Sequence, residues 1–127
     1  MAVYWLSWSD PRSQAAPSFF DHKEADRILE KLVDGGLEVS VPSVRLDTLN
    51  EERLELMVAG GQRTLTVAPE TASLRLCRII GKPFSEEALV RTARAAKRAG
   101  INGLKLYFMI GLPGETMDDV KGIAGLV

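Results

Sequence analysis

Short apolar runs alternate with segments of helical periodicity along the chain. Four runs are typical of buried strands and cover residues 3–6, 37–41, 64–68 and 104–110. Five segments with apolar residues spaced three or four apart predict helices that follow these runs. The predicted order is β-α-β-α-β-α-α-β-α. Strands that alternate with helices favour parallel pairing, because each helix carries the chain back to the same end of the sheet.

The predicted helices have recognisable ends. Asp21 is expected to cap the first helix, with Glu24 at its third position, and Asn50 is expected to cap the second. Thr116 begins a capping box for the fifth helix. Glycines are expected to stop the first four helices, at Gly35, Gly36, Gly60, Gly61, Gly81 and Gly100. The polar residues interpreted as caps before ligands are Ser73, Glu115 and Thr116.

Length and composition indicate one globular domain. The chain has 127 residues, of which 46% are hydrophobic, and a formal net charge of -1. This balance argues against a dedicated surface for nucleic acid, and no apolar run is long enough for a membrane span. A single cysteine excludes an internal disulfide and favours a cytoplasmic protein. With one cysteine and one histidine, the chain alone does not supply a Cys/His metal site.

The predicted strands indicate an incomplete sheet. Four strands are too few to close a barrel, and the first and last would have unpaired edges. The chain is therefore expected to be a piece of a larger protein. Its expected partners are the rest of its own polypeptide and, through the exposed edges, a second copy of the chain.

Candidate chemistry lies in the loops that follow the strands, where parallel β/α folds place their sites. Glu70 follows an apolar strand and a proline, so its carboxylate is expected to point above the sheet and to need a partner. That partner is either a ligand or a structural cation such as Arg45. Gly111 leaves room for a flat ligand, and Gly114 permits a positive φ before the last helix. The same loop is equally compatible with a tight turn that binds nothing.

The segment from Gly60 to Thr116, "GGQRTLTVAPETASLRLCRIIGKPFSEEALVRTARAAKRAGINGLKLYFMIGLPGET", resembles the radical S-adenosylmethionine (SAM) enzymes. Three features come in family order: the turn at 69–73, the helix end at 80–82 and the Gly-x-Pro-Gly-Glu-Thr loop at 111–116. The sequence is most similar to a subgroup of Fe-S oxidoreductases that often carries a cobalamin-binding-like N-terminal domain. It is more distantly similar to the methylthiotransferases and coproporphyrinogen dehydrogenases.

The resemblance implies a partial TIM barrel of six strands with a [4Fe-4S] cluster on a Cys-x-x-x-Cys-x-x-Cys loop. SAM bound there is cleaved reductively to a 5′-deoxyadenosyl radical. Residues 1–127 would hold about strands 2–5, without the first strand and its cluster loop and without the last strand. The three cysteines are absent from this sequence. The chain is therefore expected to carry much of the SAM cradle, to bind no cluster and to be inactive alone.

The same resemblance assigns the candidate site residues. Glu70 would contact the methionyl part of SAM. Ser7 and Ser9 match a strand end near the methionyl amino group. The backbone expected to border the adenine is that of Ile110, Gly111 and Leu112.

Two other interpretations stay open. The chain could be a stand-alone α/β ligand-binding or interaction module without redox chemistry. It could also belong to an RNA-modifying, methylthiotransferase-like enzyme, which only the shared helix face of Arg91, Arg94 and Arg98 suggests. A solvated face is the ordinary interpretation of these arginines, and a phosphate or RNA patch is the alternative.

Overall fold

Two parallel strands and their flanking helices form residues 19–82 and 84–126, the part of the chain that the structure, a computed structural model, describes. Short 3₁₀ turns at Phe19–Asp21 and Leu46–Thr48 precede the first two helices. The elements in chain order are α1 (Ala25–Asp34), α2 (Glu51–Ala59), β1 (Thr64–Glu70), α3 (Leu74–Ile80), α4 (Glu86–Ala99), β2 (Gly103–Phe108) and α5 (Met117–Gly125). The strand predicted at 3–6 lies outside the described residues.

Strands β1 and β2 are parallel neighbours, with Leu65 opposite Leu104 and Val67 opposite Leu106. Helices α3 and α4 supply the crossover that parallel strands need. Gly100 ends α4 with a φ of 107°, so the chain turns directly back into β2. The expected α/β class with parallel pairing is confirmed. None of the helices within the described ranges is long and apolar enough to cross a membrane.

The side chains that alternate along β1 bury one face of the sheet under the helices. Leu65 and Val67 are 0% exposed and pack with Leu54 and Met57 of α2 and with Ala96 of α4. Thr64 and Thr66 point to the opposite face, because successive side chains of a strand alternate. The hydrophobic core therefore lies between this face and the helix layer.

The predicted start of the first helix is wrong. Helix α1 begins at Ala25, and its N-cap Glu24 makes no side-chain capping bond. Asp21 instead ends a 3₁₀ turn in which Phe20 is buried. The guanidinium of Arg53 lies 4.6 Å from the centre of the Phe20 ring and holds this turn against α2. Tertiary packing of the aromatic ring thus overrides the capping pattern.

The strand predicted at 37–41 is also wrong. The buried side chain of Gln62 accepts the N–H of Val41 at 2.9 Å and donates to the carbonyl of the same residue at 3.1 Å. An amide side chain therefore satisfies backbone groups that a neighbouring strand would have paired. The chain reaches the sheet only at Val44, whose N–H donates to the carbonyl of Thr66 at 3.0 Å.

Candidate ligand site at the carboxyl ends of the strands

Glu70 ends β1 in a strained backbone conformation. Its φ is +68°, and it is the one non-glycine residue with a positive φ in the described part of the chain. The strand has a bulge at this point. Val67 pairs with Leu106 and Glu70 pairs with Phe108, so β1 advances three residues while β2 advances two. The left-handed conformation costs a residue with a Cβ about 1–2 kcal/mol. Residues held in such conformations cluster at ligand and active sites.

The carboxylate of Glu70 forms an ion pair with the ammonium of Lys82. Lys82 follows Gly81, which ends α3 in the left-handed conformation and turns the chain back toward the strand end. Both side chains remain open to solvent, at 21% exposure for Glu70 and 49% for Lys82. Arg45, the structural partner considered from the sequence, pairs instead with Asp47 at 2.5 Å. The sequence pattern did not identify Lys82.

The glycine loop after β2 lies next to Glu70, because the N–H of Met109 donates to the carbonyl of Glu70 at 2.8 Å. Gly111 and Gly114 have φ values of 95° and 77°, which confirms the positive φ predicted at Gly114. A Cβ placed on Gly111 would meet no atom within 4 Å. The space above Gly111 is therefore open, as a flat ligand would require.

Glu115 closes this loop from within. Its Oε2 accepts the N–H of Gly111 at 2.7 Å, while its buried Oε1 has no hydrogen-bond partner among the described residues. Thr116 is the N-cap of α5 and forms the predicted capping box with Asp119. The cap interpretation is therefore correct for Thr116 and wrong for Glu115. The N–H of Gly111 is occupied and is not free to bind the edge of a ring.

Arg75 ties the glycine loop to α3. Its guanidinium donates to the carbonyl of Gly114 at 2.8 Å and pairs with Asp119. A hydrogen bond from Ser73 is the largest cause that holds the pKa of Asp119 well below its usual range, followed by bonds from Thr116. Ser73 also accepts the N–H of Leu76 as the predicted cap of α3. These contacts connect the loops that follow β1 and β2.

The predicted site residues fall into two groups. Glu70 ends β1 and Gly111 follows the carboxyl end of β2, and the N–H of Met109, two residues before Gly111, donates to the carbonyl of Glu70. Their binding of a cofactor stays a prediction. Ile110 and Leu112 flank Gly111, the first 74% exposed and the second half-buried. Ser7 and Ser9 lie outside the described residues, so their predicted place beside Glu70 stays a prediction.

Cys77 has the structural role predicted for it. The thiol is buried in α3 and packs with Phe84 and Leu89. Burial raises its pKa above the usual value for a thiol, which opposes formation of the thiolate. Among the described residues, no group of three or more His, Cys, Asp or Glu side chains is arranged to hold a metal ion.

Comparison with known proteins places this geometry in a family context. Residues 13–127 match the family model of the radical SAM superfamily. An uncharacterized protein of Methanocaldococcus jannaschii is 37% identical over 111 residues, which cover 87% of this chain and 24% of that protein. An uncharacterized methyltransferase of Pyrococcus horikoshii is 33% identical over 100 residues, covering 78% and 22% of the two chains.

A more distant relative is an oxygen-independent coproporphyrinogen-III oxidase-like protein, HemZ, of Bacillus subtilis. It is 22% identical over 111 residues, which cover 83% of this chain and 22% of HemZ. The chain therefore spans less than a quarter of the length of these three relatives.

Proposed function

The chain belongs to the radical SAM superfamily, and we propose on that premise that it forms part of the SAM-binding site of an iron–sulfur enzyme. In such an enzyme, SAM bound beside a [4Fe-4S] cluster supplies a 5′-deoxyadenosyl radical that abstracts hydrogen from a substrate. The chain spans less than a quarter of its relatives. The complete reaction is accordingly proposed for the protein that contains the chain, and the SAM contacts for the chain itself.

The residues of this chain do not fit a cluster of their own. Iron–sulfur clusters of this kind are held by cysteine thiolates. The sequence has one cysteine, Cys77, and its thiol is buried within α3 with a raised pKa. Cluster ligands are therefore proposed to come from other parts of the polypeptide, and no step of cluster chemistry is assigned to this chain.

The observation that carries the SAM proposal is the ion pair of Glu70 and Lys82 at the strained end of β1. The methionyl end of SAM carries an ammonium and a carboxylate. Glu70 can accept hydrogen bonds from the ammonium, and Lys82 can donate to the carboxylate. Both side chains are open to solvent, so a ligand can reach them. The open space above Gly111 supports placement of the adenine there.

The proposal is tested by titrating SAM into the chain and into its Glu70→Gln variant by isothermal calorimetry. Loss of a charge-assisted hydrogen bond is expected to weaken binding about 10- to 150-fold, equivalent to about 1.5–3 kcal/mol. Glu55→Gln is the matched control, because Glu55 is an exposed carboxylate on α2. The expected result is unchanged SAM affinity for this control.

Two results would contradict the proposal. One is the absence of saturable SAM binding by the unaltered chain. The other is unchanged SAM affinity in Glu70→Gln together with a lowered melting temperature, which would make Glu70 a structural partner of Lys82.

Methyl transfer is a second candidate reaction, favoured by the name of the Pyrococcus relative as a methyltransferase. It would use the same SAM site. The products distinguish the two reactions, since radical cleavage releases 5′-deoxyadenosine and direct methyl transfer releases S-adenosylhomocysteine. Chromatography of the nucleoside products formed by the protein that contains this chain decides between them.

A further inference from the structure

Arg75, in the first turn of α3, binds the glycine loop at residues 111–116 and the helix that follows it. One nitrogen of its guanidinium, Nη2, donates to the carbonyl of Gly114 at 2.8 Å and to a carboxylate oxygen of Asp119 in α5. A Cβ placed on Gly114 would lie 3.8 Å from the other terminal nitrogen, so the guanidinium lies beside this glycine as well as on its carbonyl. A single side chain of α3 therefore contacts both the loop and α5.

The glycine loop needs outside contacts to keep one conformation. Gly111 and Gly114 both have a positive φ, and glycine populates positive and negative φ about equally. Helix α5, which follows the loop, has no buried residue. Leu126, just beyond α5, packs against the cluster that contains Cys77 of α3. Apolar packing thus holds the far end of α5, and Arg75 holds the end that carries the loop.

The other contacts of the loop lie within it or at its beginning. Glu115 accepts the N–H of Gly111 at 2.7 Å, and the capping box at Thr116 begins α5. The bond from the N–H of Met109 to the carbonyl of Glu70 fixes where the loop begins. None of these contacts joins the second half of the loop to α3, and that is the connection which the arginine supplies.

On the premise of the SAM site proposed above, we propose that Arg75 is a positioning residue that holds the two halves of this site, Glu70 and Gly111, at a fixed separation. Arg75 belongs to the helix that follows Glu70 and binds the loop that contains Gly111. A site whose parts are already placed loses less conformational freedom when a ligand binds, so its affinity is higher. The guanidinium is committed to Gly114 and Asp119, and no direct bond to SAM is assigned to it.

The geometry of Arg75 predicts which substitution keeps the connection. Because one nitrogen makes both bonds, a lysine ammonium, with three donors on one nitrogen, can replace them. Methionine is flexible and unbranched but has no donor. Arg75→Lys should therefore retain the positioning, and Arg75→Met should abolish it. Arg78→Met is the matched control, because Arg78 is an exposed arginine of the same helix.

Hydrogen exchange of the loop amides, followed by NMR spectroscopy, tests the connection without any ligand. The N–H groups of Gly111 and Glu115 report closure of the loop, because they bind Glu115 and the carbonyl of Leu112. Both should exchange at least about 5-fold faster in Arg75→Met, since the loop opens more often. Arg75→Lys and Arg78→Met should match the unaltered chain. Unchanged exchange in a folded Arg75→Met variant would overturn the proposal.

Calorimetric titration with SAM tests the consequence for binding. Arg75→Met should weaken SAM binding at least about 5-fold, whereas Arg75→Lys and Arg78→Met should retain the affinity of the unaltered chain. In the amide spectrum of Arg75→Met, SAM should still shift the signal of Glu70, while the shift at Gly111 becomes smaller. A purely structural role of Arg75 would reduce both shifts together. Faster loop exchange with unchanged SAM affinity would contradict the positioning role.

Failure of the SAM site and failure of the positioning role give different results. Absence of saturable SAM binding by the unaltered chain contradicts both, whereas equal SAM binding by the unaltered chain and Arg75→Met contradicts the positioning role alone. Circular dichroism melting shows whether Arg75→Met is folded. If it is not, Asp119→Asn replaces it, because this change removes the charge that Arg75 binds and keeps an acceptor for the start of α5. Unchanged loop exchange or unchanged SAM affinity in Asp119→Asn would then overturn the proposal.

Discussion

The helix-covered face of the sheet and the carboxyl ends of its strands differ sharply in how completely they are packed. On the helix-covered face, Leu65 and Val67 are fully buried. Beyond the carboxyl end of β2, Met109 and Ile110 are 50% and 74% exposed, although they belong to the apolar run predicted as a buried strand at 104–110. Apolar composition alone therefore does not decide which residues form the core. The helices decide it, because they cover one face and leave the strand ends open.

The polar contacts of the two regions differ in the same way. In the helix layer, Arg53 binds both carboxylate oxygens of Asp26 at 2.6 and 2.8 Å and stacks on Phe20. At the strand ends, the pair of Glu70 and Lys82 occupies a strained, solvent-open position. The first arrangement joins elements of the fold, whereas the second leaves charged groups available to a ligand.

The largest expected effect is in the core. Leu65→Ala should lower the free energy of unfolding by about 2–5 kcal/mol, because it removes buried methyl groups and leaves a cavity. Ile110→Ala, at the exposed strand end, should change it by less than about 0.5 kcal/mol. Urea unfolding of both variants measures the difference. Equal losses would contradict the contrast between the two regions.

The second effect concerns Arg53. Arg53→Met should cost about 1–3 kcal/mol near neutral pH, since it removes a bidentate bond and leaves Asp26 without its partner. The hydrogen bond from Arg53 is the main cause that lowers the pKa of Asp26 in the folded state. A lowered carboxyl pKa stabilises the fold above the unfolded-state value of about 3.9, and this stability is lost as pH falls through the folded-state value.

The cost of Arg53→Met should consequently shrink as the pH is lowered below about 4. Chemical unfolding at a series of pH values tests this, with Asp26→Asn as the companion variant. An energetic cost that stays constant across this range would assign the role of Arg53 to its contact with Phe20 instead.

A smaller effect of opposite sign is expected at Glu70. Asparagine tolerates a positive φ better than glutamate does, so Glu70→Asn should relieve strain. The ion pair that it removes is partly exposed and contributes little. The free energy of unfolding should rise by up to about 1 kcal/mol, while SAM binding falls. A destabilised variant in thermal unfolding would indicate that Glu70 serves the fold.

The smallest expected effect concerns assembly. Strand β2 has one neighbour in the described part of the chain and presents Leu104 and Tyr107 to solvent. We propose that two copies associate weakly along this edge. Light scattering should show a mass that rises with concentration, and Leu104→Lys should reduce the rise. A mass that stays monomeric at all concentrations would contradict self-association.

Local signals predicted much of the helix layer. Gly100 ends α4 where the sequence placed its end, and the predicted capping box at Thr116 begins α5. The failures arise where distant residues intervene. Because Phe20 is buried in a 3₁₀ turn, α1 begins at Ala25 and not at the predicted cap, Asp21. The side chain of Gln62 binds the backbone of Val41, which the pattern had assigned to a strand.

The candidate site was predictable in part for the same reason. Glu70 and Gly111 follow apolar strands, so a local pattern places both at the carboxyl ends. Lys82 is twelve residues from Glu70 in the sequence. The two side chains meet because Gly81 reverses the chain after α3. The sequence Gly81-Lys82 at the end of α3 was the available signal, but it does not indicate which carboxylate Lys82 binds. No feature of the sequence predicted the left-handed backbone of Glu70, because that conformation depends on the bulge where β1 pairs with β2.

The central claim is that SAM binds at the carboxyl ends of β1 and β2, and amide NMR spectroscopy tests it most directly. Addition of SAM to the ¹⁵N-labelled chain should shift the amide signals of Glu70, Lys82 and Gly111 with one common saturation curve. The signals of Arg91 and Arg94 on α4 should stay unchanged. Saturable shifts confined to residues away from the strand ends, or no saturable shifts at all, would contradict the account.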